Sequence, residues 1–222
     1  MNDSHHQSES FHWGNLLKQI VPLLIGFSAF QFLFTGDVIF VKSYFTSDQS
    51  APYMAAGTLS RAVLWLVMPL AAVMFPKIVH SAARSEKTNL QNLVLAGTAI
   101  LSLGGILGLW FFGPMVLKIM FGSDYVKEAM TVMLWYSSAM VPFALANVLV
   151  NDLLARSRFG IVPALVVISI LYSLALTRFH DSLIMVLQTL ATFNVILLAV
   201  CAVFTWLVKP KVKPAEKVAI LS

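Results

Sequence analysis

Asp37 and Arg61 each lie inside a long apolar stretch, where an ionised side chain is expensive and marks a candidate functional position. Asp37 stands eight residues before Phe45, roughly 12 Å below the end of its stretch if that stretch is helical. Arg61 stands nine residues after Pro52, roughly 13 Å into the next stretch. A short turn joins the two stretches, so opposite charges reach the same depth, and an ion pair or a shared polar cavity follows. Two chemistries are open to such a pair. It can line a path for an anionic or proton-coupled substrate, or it can fix two helices to one another, in which case removing one member damages folding. Lys42 lies five residues beyond Asp37, about 140° around a helix, so the two do not share a face. Its depth suits a side chain that snorkels to the membrane surface. Asp152 and Arg156 are spaced i, i+4 at the end of another stretch, a spacing that helix-end charge and local pairing explain.

Other chemistry is not encoded. The histidines at positions 5, 6, 12, 80 and 180 form no His-x-x-x-His pattern and sit beside no carboxylate cluster, so no metal site is expected. His180, next to Asp181, reads as a solvated turn residue. The single cysteine, Cys201, rules out a disulfide framework and a Cys-based zinc site. No nucleophile–base arrangement is visible, so the reading is of a non-enzyme without a cofactor. Gly104 and Gly108 form a GxxxG spacing, a helix-packing signal and not a nucleotide loop.

The elements that must hold these residues follow from composition. Of 222 residues, 59% are hydrophobic and only 11% charged, against about 45–50% and about 25% in soluble domains. So few charges cannot cover a soluble surface, and the apolar content suffices for about six membrane-spanning helices. A mean hydropathy of +0.82 agrees. The stretches run from Leu16 to Phe45, from beyond a Thr46–Pro52 turn to Pro76, from Leu93 to Phe112, from Ala129 to Leu154, from Ile161 to Thr177 and from Leu183 to Val208. None alternates in and out, so each reads as a helix that satisfies its own backbone. Lys77–Asn92 and Gly113–Lys127 read as linkers, and the prolines at 22, 69, 142 and 163 as local kinks or breaks. The expected organisation is a polar N-terminal segment (1–15) without signal-peptide features, a six-helix membrane lobe (16–208) and a basic tail (209–222).

Orientation follows from the basic residues. Lys18, Lys77, Arg84, Lys87, Arg156, Arg158 and the tail residues Lys209, Lys211, Lys213 and Lys217 fall on one side; Lys42, Lys118, Lys127 and Arg178 fall on the other. The positive-inside rule then puts both termini in the cytoplasm. The net charge of +5 belongs to these loops and the tail, which could also meet anionic lipid, and not to a nucleic-acid surface. No loop is long enough to house a catalytic domain.

Two segments carry a family resemblance. One is Gly36-Asp37-Val38-Ile39-Phe40-Val41-Lys42, then Ala51-Pro52-Tyr53-Met54-Ala55-Ala56-Gly57, Leu59, Arg61 and Phe75-Pro76. The other is Ile119-Met120-Phe121-Gly122-Ser123-Asp124-Tyr125 with the helix that ends at Asn147 to Arg158. Together they resemble the C-terminal half of polysaccharide-export flippases, in the superfamily of multidrug and oligosaccharidyl-lipid exporters. The resemblance covers about Leu16 to Val208. This chain departs from the family in having one six-helix lobe instead of two, and Gln49-Ser50-Ala51-Pro52 where an acidic residue and a glycine are usual. The resemblance implies a bacterial inner-membrane protein whose cavity moves lipid-linked glycans, with Asp37, Arg61 and Lys42 as substrate-binding residues. A second lobe would come from a homodimer, a partner chain or an N-terminal half that precedes Met1. A multidrug or cation antiporter half shares the implied fold, and a non-transporting remnant or scaffold fits a single lobe.

Overall fold

The structure, a computed structural model, describes residues 13–83, 90–123, 126–156 and 158–208. The expected N-terminal polar segment through His12, the residues Arg84, Lys87, Asp124 and Tyr125, and the lysine tail lie outside the described residues, as do the side chains of Lys18, Lys77 and His80. Six helices follow in order: α1 (Trp13–Tyr44), α2 (Ser47–Ala83), α3 (Leu90–Phe121), α4 (Val126–Ala155), α5 (Ile161–Arg178) and α6 (Leu183–Ala202), the last extended by a π-helical turn, Val203–Leu207. No strand occurs among the described residues. Five helices (α1, α3, α4, α5 and α6) are long and apolar enough to cross a membrane. The chain is an all-α polytopic membrane protein.

The helices are longer than the apolar stretches, and local chemistry explains each difference. The expected Thr46–Pro52 turn shrinks to Phe45 and Thr46, because Thr46-x-x-Gln49 caps α2. Thr46 O accepts from Ser50 N–H at 2.9 Å, and Gln49 Oε1 reaches back to Thr46 N–H at 3.4 Å. Asp48 in the first turn suits the positive end of the helix dipole. The expected Gly113–Lys127 linker shrinks as well, because α3 continues through Pro114 to Phe121. Gly122 ends it with φ of 91°, left-handed geometry that a residue with a Cβ rarely adopts, and its N–H bonds Lys118 O at 3.1 Å. Pro22 and Pro142 interrupt neither α1 nor α4, and α2 runs past Pro69 and Pro76. Pro163 falls in the first turn of α5, where a backbone N–H has no intrahelical partner to lose.

The bundle is built around α4. Of its span-length window, 61% is buried, against 17% for α3, which makes α4 the axis and α3 a peripheral helix. One layer packs α3 and α2 on α4; the other packs α1 on α5 and α5 on α6, and α6 against α4 joins the layers. Asn194 Nδ2 donates to Ala139 O at 2.8 Å across that joint. Although a tight turn links them, α1 and α2 pack little against one another, since each belongs to a different layer. α1 and α5 run parallel. Ser169 Oγ donates to Ala29 O, Tyr172 stacks edge-on to Phe32, and His180 stacks on Tyr44, a nearly constant register along both helices. The last contact puts the α1–α2 and α5–α6 turns at the same end of the bundle, called the turn end below. At the opposite end Arg158 donates to Thr205 O at 3.2 Å and to Val208 O, tying the loop after α4 to the π turn that ends α6.

Candidate functional site

Asp37 is fully buried where the two layers meet near the turn end. Its helix faces α4 across a gap filled by rings, Phe30 and Phe34 both stacking on Phe143 with centroids 4.6 and 5.4 Å apart. A carboxylate in such apolar surroundings persists as an ion only when charge and hydrogen bonds replace water. Three side chains on two helices supply them. Arg61 of α2 places Nη2 at 2.8 Å from Oδ1 and 3.1 Å from Oδ2. Tyr53, two turns earlier on α2, donates its hydroxyl to Oδ2 at 2.8 Å. Tyr136 of α4 donates to the same oxygen.

Arg61 is held as tightly as its partner. Its side chain is 11% exposed, Nε donates to Phe34 O at 3.3 Å, and the guanidinium lies over the Phe34 and Tyr136 rings at 5.3 and 5.2 Å. A planar cation suits this slot, since it can stack on rings while Nη2 meets both carboxylate oxygens and Nε meets a backbone carbonyl. Gly57 makes the slot narrow enough. A Cβ there would stand 3.2 Å from the Tyr136 ring and 3.4 Å from Arg61 Nη1.

Of the residues singled out by sequence, the structure brings Asp37 and Arg61 together and leaves Lys42 apart, exposed one turn nearer the turn end. Asp152 and Arg156 do pair, at 2.9 Å, but within one helix at the opposite end. His180 is half-buried against the Tyr44 ring, not a freely solvated turn residue. Among the described residues no atom lies within 4 Å of a Cβ added at Gly104 or Gly108, so the GxxxG spacing packs against no described helix. Sequence reasoning quoted Tyr53 without assigning it a role and passed over Tyr136 altogether. Tyr136 is 99 residues from Asp37, and no spacing rule relates them.

Comparison with known proteins finds no matching family model, no matching curated sequence and no matching solved structure.

Proposed function

We propose that this chain is one lobe of a bacterial inner-membrane flippase for lipid-linked oligosaccharides, without enzymatic activity of its own, whose cavity is completed by a second lobe. The observation that supports this reading is the Asp37–Arg61 pair, an ionic centre buried within an apolar bundle and bound by α1, α2 and α4 together. A group able to leave Asp37 for an anionic headgroup would give a transport cycle its binding step, and an arginine guanidinium carries the planar set of donors that phosphate recognition uses. Lys42, exposed toward the turn end, would attract the same headgroup at the mouth. Both termini would face the cytoplasm. In membranes making lipid-linked glycan, Arg61→Gln should lower translocation while the protein still inserts. Unchanged flux in that variant would sink the cavity assignment.

A second reading has one observation in its favour. Asp37 and Arg61 satisfy each other so fully that the pair could act only as a clamp between layers. The double variant Asp37→Leu/Arg61→Met separates the two. A clamp predicts restored abundance with transport intact; a cavity predicts restored abundance with transport lost.

A further inference from the structure

Ser28, Gln31, Thr35 and Lys42 stand at i, i+3, i+7 and i+14 on α1, within an arc of about 60°, while Asp37 points the opposite way. Ser28, Gln31 and Lys42 are exposed and Thr35 is half-buried. Gln31 lies 13 residues before Tyr44, roughly 20 Å along the helix, which puts it near the middle of about 30 Å of hydrocarbon. Thr35 returns its hydroxyl to Gln31 O at 3.0 Å, whereas the Gln31 amide and the Ser28 hydroxyl meet no partner among the described residues. An amide in lipid without a hydrogen bond is costly, so polar groups at this depth face protein or water. The outer face of α3 obeys that rule. Between Leu93 and Leu117 no exposed residue carries a polar side chain, and Thr98 and Ser102 turn inward.

Beside the stripe on α1, and sharing Ser28 with it, runs an open trough of about 520 Å³ between α1 and α5. Leu24, Ile25, Val166 and Ile170 make it apolar, and Ala29, Ser169 and Ser173 are small enough to let another helix come close. Stripe and trough ask different things of one occupant. An acyl chain fills the trough and leaves the amide bare; water satisfies the amide and wets apolar walls. A helix with an apolar ridge and an amide at the same depth meets both demands, and α1 is such a helix. Two copies of this chain insert in the same orientation, so like residues meet at equal depth across a two-fold axis along the membrane normal. That suits these side chains. A primary amide donates and accepts, so two glutamines bond each other, as two hydroxyls do. Two copies of Lys42 would repel, but at the turn end each reaches headgroups instead.

We propose that the outer face of α1 and the trough beside it seat a second copy of this chain, in a parallel two-fold dimer where Gln31 bonds the partner's Gln31. This rests on the reading of one lobe completed by another; the completing lobe is then a second copy, and α1 the helix that meets it.

Oxidative cross-linking of introduced cysteines, in membranes holding the full chain, tests the contact. Ser28→Cys, Gln31→Cys and Thr35→Cys should each give a disulfide-linked species of twice the chain mass, and Leu107→Cys on the outer face of α3 should not. No such species at the three positions, or an equal yield at Leu107, would overturn the proposal. A cross-link to a different polypeptide would overturn it too. So would labelling of Gln31→Cys by a water-soluble maleimide without a dimer, since the stripe would then line water. For the purified full chain in micelles, energy transfer between labelled copies should report an association constant about tenfold lower for Gln31→Leu, with most of it kept by Gln31→Asn. Gln31→Leu alters only an outward group, so the fold is retained, and association equal to that of the unaltered chain would overturn the proposal. Dimers with unchanged flux in Arg61→Gln would keep this contact and remove the cavity reading. Monomers with lost flux in Arg61→Gln would remove this contact and leave the flippase reading to another partner.

Discussion

Asp37 and Asp152 are the two carboxylates withdrawn from solvent among the described residues, and each meets an arginine at 2.8 or 2.9 Å. They are nevertheless different objects. Asp152 pairs with Arg156 one turn along the same helix, and that arginine is 30% exposed at the bundle's end. Asp37 draws its partners from 16, 24 and 99 residues away, on two other helices, and its arginine is 11% exposed. The first pair is a local consequence of helix geometry and would form in an isolated peptide. The second exists only after the two layers dock, so forming it and docking the layers are one event.

Breaking each pair should expose the difference in magnitude. Arg61→Ala strands a carboxylate in a ring-lined interior, and equilibrium unfolding in mixed micelles should register a loss of about 3–5 kcal/mol. Adding Asp37→Leu and replacing Arg61 by Met instead should recover most of that loss, because the penalty comes from the uncompensated charge and not from the missing attraction. A double variant as unstable as Arg61→Ala would contradict this account.

An intermediate effect is expected from Gly57→Ala. The new methyl must push back the Tyr136 ring or the guanidinium by a few tenths of an ångström, at a cost of about 1–3 kcal/mol. Because the group displaced belongs to the Asp37 centre, the loss should shrink when Tyr136 is also cut to leucine. Undiminished loss in the double variant would place the strain elsewhere.

The smallest change belongs to the other pair. Arg156→Ala should lower stability by about 1–2 kcal/mol, less than Arg61→Ala, because the guanidinium lost is 30% exposed although Asp152 itself is buried. Raising salt from about 0.05 to about 0.5 M should narrow that difference through the exposed guanidinium, while leaving the Arg61→Ala deficit in place. Equal salt sensitivity of the two variants would mean that water reaches Asp37 as readily as Asp152.

Much of this architecture was legible in the residues. The apolar stretches located all six helices, and the two ionisable groups inside them were paired correctly by depth, since a short turn between antiparallel helices leaves few alternatives. Helix ends were less legible. The Thr46-x-x-Gln49 cap was present in the sequence and would have shortened the first turn, whereas α3 crosses Pro114 because a bundled helix of this length tolerates one missing bond.

Hydropathy and charge by themselves determined that this chain crosses a membrane as helices and that Asp37 and Arg61 share a depth, because those properties are set along one helix at a time. Which helices touch is set between helices. That α1 leaves α2 to pack on α5, that Tyr136 arrives from α4 to complete the carboxylate's shell and that Lys42 stays outside were decided by the tertiary structure alone. An apolar surface specifies burial without naming its partner, and only the packed bundle does that.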